Sequence, residues 1–175
     1  MLISFPSLIK KYNLNVTGVI HVGGHVGQEL LNYKKSGIEN LLIFEPQKQP
    51  FEKLSNVAEG LKFENITLEN KALGNCIKKV EMICNDDGLC SSILKPKVVL
   101  TQYPDIKFDK KEIVNMIMLD SHHLVSGEHN YNFMNMDTQG YELEVLKGSS
   151  RTLERVDAVY TEVNNAEVYE NNAMI

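Results

Sequence analysis

A chain of 175 residues that is 43% hydrophobic and 23% charged has the composition of a soluble globular domain with one sizeable core. Its net charge of -5 removes any electrostatic reason to expect a nucleic-acid partner. No apolar run approaches a membrane span, and Lys10 and Lys11 follow the apolar stretch 2–9, where a secretory leader would place charge first. Cys76, Cys84 and Cys90 are odd in number and lack C-x-x-C spacing, so free thiols in a reducing cytoplasm are expected.

No repeat or linker interrupts the chain, which predicts one domain over 1–175 with residues 1–15 as a helical lead-in. The β-branched run Val16 to Val22 ends in glycines and reads as a buried strand. A short helix is expected from Gly27 to Lys35, stopped by Ser36-Gly37. Asn40 to Glu45 predicts a second buried strand ended by Pro46, and Pro50 to Gly60 a helix. Ile66 to Leu73 reads as a third strand. Lys79 to Cys84 reads as another, with a turn at 85–88 and a return segment Ser91 to Leu94. Ile113 to Leu119, Phe133 to Met136 and Val156 to Val163 are further strands, and Tyr141 to Lys147 is a helix stopped by Gly148. This alternation predicts an α/β, mostly parallel sheet with helices on both faces, which binds ligands at the carboxyl ends of its strands.

The first strand-ending loop carries Gly23, Gly24 and Gly27. Glycine leaves no Cβ between backbone and ligand, and amides at a helix start can face an anionic group. A dinucleotide fingerprint would want glycine at 22, and Val22 stands there. The spacing present is similar to the methyltransferase pattern acidic-x-Gly-x-x-x-Gly, with His21 in the acidic place. Glu45 ends the second strand about 20 residues after that loop, where a carboxylate holds ribose hydroxyls. A strand-end acid can also cap the next helix, and neither loop alone separates a nicotinamide cofactor from S-adenosylmethionine. The pair His122-His123 raises a metal site with His129. Adjacent side chains of an extended chain point apart, so a loop role without metal is expected. Tyr141, Leu143, Val145 and Leu146 predict the packing face of a helix.

The segment from Met134 to Gly148, with Asp137-Thr138-Gln139-Gly140-Tyr141-Glu142 and a closing Lys147-Gly148, resembles the signature of the FkbM-type methyltransferases. Ile20 to Glu29, Phe44-Glu45-Pro46 and Asn70 to Asn75 fall in that family's order, and Ser91-Ser92 and Met118-Leu119-Asp120 match weaker landmarks. The resemblance covers roughly residues 8–170. It implies a Rossmann-like class I methyltransferase fold and methyl transfer from S-adenosylmethionine to a hydroxyl of a sugar, glycan or small natural product. His21, Gly23, Gly24, His25, Gly27, Gln28, Glu45, Pro46, Lys71, Ala72 and Asp137 would then bind the cofactor. Asp137 is the first candidate base, with helix capping as its alternative, and Glu162 the second. Three departures stand out: Gln139 replaces the usual glutamate, His21 the usual acid and Asn135 the usual lysine. Gln139, His21 and the short carboxyl end keep a non-catalytic cofactor-binding module as the main alternative, with an NAD-dependent oxidoreductase as a lesser one; Asn135 is a smaller change. By the same resemblance the last strands of the sheet are expected to be missing, with the final strand left as an open edge. Residues 84–109 are the expected acceptor loops.

Overall fold

The computed structural model describes residues 3–102, 104–125 and 130–174. In chain order the elements are α1 (Phe5–Tyr12), β1 (Val19–Val22), α2 (Leu30–Lys35), β2 (Asn40–Phe44) and α3 (Lys48–Leu61). Then come β3 (Asn65–Glu69), β4 (Ala72–Leu73), β5 (Lys78–Cys84), α4 (Val99–Gln102) and β6 (Lys110–Ile117). Two 3₁₀ turns, Leu119–Ser121 and His123–Val125, precede β7 (Phe133–Met136), α5 (Glu142–Lys147), α6 (Ser150–Leu153) and β8 (Ala158–Thr161).

Five strands form one all-parallel sheet in the order β3-β2-β1-β7-β8. Parallel strands buried on both faces carry apolar residues without alternation. Leu41, Leu42, Ile43 and Phe44 are all fully buried, each contributing about 1.5–3 kcal/mol of transfer free energy. Odd positions of β1 and β2 pack with Phe5 and Leu8 of α1, Leu30 and Tyr33 of α2, and Leu54 and Ala58 of α3. Even positions pack with Leu119, Val125, Tyr131 and Val145 of α5. Helices therefore cover both faces, as the alternation predicted, and the fold is α/β and Rossmann-like.

A second sheet was not foreseen. The expected strand Ile66 to Leu73 breaks after Glu69, where the Lys71 amide turns back onto the Glu69 carbonyl at 2.9 Å. Ala72 and Leu73 then pair with Met116 and Ile117 in a three-stranded sheet of order β4-β6-β5. They are as buried as a continuing strand would be, which is why burial pattern alone joined them to β3. The segment after β5 returns through a single bridge, Ser92 to Ile83, on one edge of β5, while β6 pairs along the full length of the other. α2 begins only at Leu30, since Gly27 is held at φ +84 by the turn that precedes the helix.

From β1 the chain winds outward to β2 and β3, then crosses back to β7 and β8 on the other side. The crevice at that reversal lies beyond the carboxyl ends of β1 and β7.

Candidate functional site

A cleft of about 760 Å³ lies at the carboxyl ends of β1, β2, β7 and β8, roofed by the second sheet and the 85–93 segment. That volume is in the range of small-molecule and cofactor sites. Of the residues the sequence singled out, His21, Gly23, His25, Gln28, Glu45, Pro46, Lys71, Ala72, Asp137 and Glu162 line it together.

Gly24 and Gly27 do not line it. A Cβ on Gly24 would lie 2.5 Å from Ile43 Cγ2, and one on Gly27 3.1 Å from both Leu30 and Leu54. Both glycines let α2 and α3 approach the sheet. Gly23 has a third reason: at φ +88 its Cβ would stand 2.0 Å from the Asp137 carbonyl oxygen, so glycine here lets the ends of β1 and β7 touch. The Gly23 and Gly24 amides both donate to the Phe44 carbonyl at 2.9 Å, which ties this turn to β2.

Glu45 is 3% exposed and accepts the His25 amide on Oε2 and the Gln47 amide on Oε1, each at 2.8 Å. It thus joins the glycine turn to the start of α3. Burial pushes its carboxyl above the usual range, against the two amide bonds. A carboxylate with one bond on each oxygen keeps further acceptor capacity, so the structural task leaves room for a ligand hydroxyl.

His21 is buried between Tyr33 and Asn135. Its Nε2 lies 3.3 Å from Asn135 Nδ2, Nδ1 lies 3.2 Å from Tyr33 Oη, and Asn135 Nδ2 also donates to Tyr33 Oη at 2.7 Å. These contacts are satisfied by a neutral imidazole protonated on Nδ1, with Nε2 accepting from Asn135. Burial lowers the imidazole to about 4, which keeps it neutral. His25, at φ 44, reaches the Asp87 carbonyl with Nε2 and the Gln28 amide nitrogen with Nδ1, both at 2.8 Å. With Gln47 Nε2 donating to the Gly88 carbonyl at 3.1 Å, it straps the 85–91 loop over the cleft.

At the β7 end, the turn before α5 is knit by Glu142 rather than by Asp137. Glu142 Oε1 accepts from the Thr138 amide at 3.0 Å, Thr138 Oγ1 at 3.0 Å and the Gly140 amide at 3.1 Å. The alternative of Asp137 as the helix cap is thereby corrected. Asp137 is exposed in the cleft, with Gln139 Nε2 donating to its Oδ1 at 2.6 Å. Glu29 and Glu162 border the same end of the cleft. Burial raises both carboxyls, and the nearby Asp137 charge adds to the rise. Glu29 was missed because it stands at a helix start, where an acid is ordinary. Tyr141 also lines the cleft, and Leu143 is 43% exposed, so the expected all-packing face of α5 holds for Val145 and only partly for its neighbours.

Lys71 pairs with Glu69 at 2.7 Å, and His122 Nε2 lies 3.1 Å from the other Glu69 oxygen. Burial raises the Glu69 carboxyl, but Lys71 and His122 outweigh it and leave it below the usual range. His122 and His123 stack at 4.8 Å rather than pointing apart: His122 is extended, but the chain turns into a 3₁₀ helix at His123. His129 lies outside the described residues. Among those described, no three His, Cys, Asp or Glu side chains are grouped to hold a metal, and no helix is long and apolar enough to cross a membrane. Of the expected acceptor loops, Gly88, Leu89, Ser91 and Ile93 reach the cleft.

Among known proteins, the chain is 34% identical over 92 residues to a 2-O-methyltransferase NoeI of Sinorhizobium fredii, a match covering 49% of this chain and 38% of that protein. The matched region is thus well under half the relative's length. The family model for the methyltransferase FkbM domain matches residues 21–175, from the end of β1 onward. This chain belongs to the FkbM methyltransferase family.

Proposed function

We propose that the cleft binds S-adenosylmethionine and that the chain transfers its methyl group to a hydroxyl of a sugar, glycan or small hydroxylated molecule. The observation that carries this reading is the convergence of Gly23, Glu45 and Asp137, from three different strand ends, on one cleft of sufficient volume. The donor set suits the ligand chemically. Glu45 faces the cleft with acceptor capacity for ribose hydroxyls, and Glu29, Asp137 and Glu162 form an anionic end suited to a sulfonium and an ammonium group. Leu73, Met82 and Ile93 add apolar walls that suit a purine ring and exclude water.

The bound donor supplies a methyl group already activated for displacement, so alignment is the protein's main task. Asp137 accepts the proton of the acceptor hydroxyl as that oxygen becomes nucleophilic. Glu162, at the rim, orients the acceptor. The strap made by His25, Gln47 and Gly88 restricts solvent on the roof side. The three free thiols are consistent with work in a reducing cytoplasm. The relative's name, a 2-O-methyltransferase, supports hydroxyl oxygen as the acceptor atom.

Calorimetric titration with S-adenosylmethionine and S-adenosylhomocysteine, with NAD as the control, tests the binding step. Binding of both sulfur nucleosides is expected, and NAD binding in their place overturns the reading. Glu45→Gln should weaken the nucleosides about tenfold or more, the loss of a charge-assisted hydrogen bond. Transfer of labelled methyl to a panel of sugars tests the reaction. Nucleoside binding with no transfer to any acceptor would favour a cofactor-binding module.

A further inference from the structure

We propose that Gln139 and Tyr169 are positioning residues that hold Asp137 for its role in the cleft; the inference rests on the methyltransferase reading above. Gln139 sits at φ 54 and is followed by Gly140 at φ +94. A left-handed residue with a side chain costs about 1–2 kcal/mol and persists only where its surroundings fix it. Here they do: Glu142 binds both neighbours of Gln139, and Ser92 Oγ donates to the Gln139 carbonyl at 2.7 Å. The side chain is therefore delivered to one place.

Its amide has only one orientation that works. Nε2 lies 2.6 Å from Asp137 Oδ1, and Oε1 lies 2.9 Å from Tyr169 Oη. Turned round, the amide would set its oxygen against a carboxylate oxygen, two acceptors in contact. Tyr169 enforces the productive orientation. It is 2% exposed, burial pushes its phenol above the usual range so that it keeps its proton, and that proton is divided between Gln139 Oε1 and the Cys90 carbonyl, also at 2.9 Å. Tyr169 itself is seated: Asn172 Oδ1 accepts its amide at 3.0 Å, and Gly140 packs so closely that a Cβ there would lie 3.1 Å from the Tyr169 ring.

The outcome is a relay from the 164–174 segment through an amide to the cleft. Asp137 Oδ1 is occupied, and among the described residues Oδ2 takes no hydrogen bond. The carboxylate is thus held by one oxygen with the other available to an acceptor hydroxyl. An ionised glutamate at 139 would have no amide hydrogen to give, so the neutral side chain is the holding device.

The Gln139 side-chain amide signals in a ¹H–¹⁵N spectrum, assigned by their loss in Gln139→Leu, report the relay without any turnover. In the intact chain they should be displaced and slow to exchange. Tyr169→Phe should move them toward free-amide positions, and Asp137→Ala should do the same. With a methyl acceptor, Tyr169→Phe and Gln139→Leu should each lower kcat about tenfold, the loss of roughly one hydrogen bond. The fall in kcat should exceed any loss of S-adenosylhomocysteine affinity, to which Glu45 and Glu29 also contribute, and the double variant should be no worse than Gln139→Leu alone, because Tyr169 acts through Gln139. Should Tyr169→Phe fail to fold, Gln139→Leu carries the split between kcat and affinity. Unmoved amide signals in Tyr169→Phe, or additive losses in the double variant, overturn the proposal. An intact chain that binds no sulfur nucleoside overturns the donor assignment, while the amide signals decide the relay separately.

Discussion

His21 illustrates how a single position can depart from a family pattern without leaving a defect. Its imidazole, with a folded value of about 4 against the usual 6.5, is depressed by burial. Stability from keeping it neutral is therefore fully present above about 6.5 and lost as pH falls toward 4. A shift of that size corresponds to about 3 kcal/mol. Denaturant titrations of the unaltered chain and of His21→Asn between pH 7 and 4 should diverge by an amount of that order, the unaltered chain losing more. Glu45 works in the opposite sense, since its raised carboxyl contributes stability at low pH that is lost as pH rises, but it is common to both chains and cancels. Equal pH slopes would refute the buried neutral assignment. His21 and Asn135 are also register partners on β1 and β7. A carboxylate from His21→Asp would be buried beside a neutral amide and should cost about 3–5 kcal/mol, whereas His21→Asp with Asn135→Lys should recover most of it. Thermal melts of the single and double variants decide this.

Among the elements, the turn from β1 to α2 and the one that ends α2 separate three uses of glycine that a spacing pattern treats alike. Gly37, at φ +74 with nothing within 4 Å of where a Cβ would stand, is needed for conformation alone. Gly37→Ala should cost about 1 kcal/mol. Gly24→Ala would press on Ile43 and Leu54, side chains that can shift, for about 1–3 kcal/mol. Gly23→Ala meets both penalties, positive φ and a backbone oxygen at 2.0 Å, and should be the most damaging. Melting temperatures in the order Gly37→Ala, Gly24→Ala, Gly23→Ala, highest first, are expected. A Gly23→Ala chain that stays as stable as Gly37→Ala would show that β1 and β7 do not need this close approach.

For the whole molecule, the cleft is a joint product of two sheets. Its floor is the ends of β1, β2 and β7, and its roof is Leu73 of β4, Met82 of β5 and the 85–93 segment. A ligand held between them should slow amide exchange in 23–28 and 45–47 and also in 71–73 and 85–93. Hydrogen exchange with and without S-adenosylhomocysteine measures this. Protection limited to the floor would mean that the roof takes no part in donor binding.

Local patterning was enough for much of this. The four apolar residues Leu41 to Phe44 before Glu45, and the largely apolar Val19 to Val22 before Gly23, fit strands buried on both faces, as in a parallel sheet. The glycine turn, the acid at 45 and the Asp137 to Gly148 segment are each local in sequence, so their chemistry could be read before their geometry. The break between Glu69 and Ala72 could not, since burial in a second sheet leaves the same apolar imprint as continuation of the first. Nor could the roles of Glu142 and Tyr169. Glu142 looks like any acid in a first helical turn, and Tyr169 stands 30 positions from the amide it orients. Spacing along a chain specifies which groups a strand end presents; which distant groups meet there is decided only when the sheets close on one another.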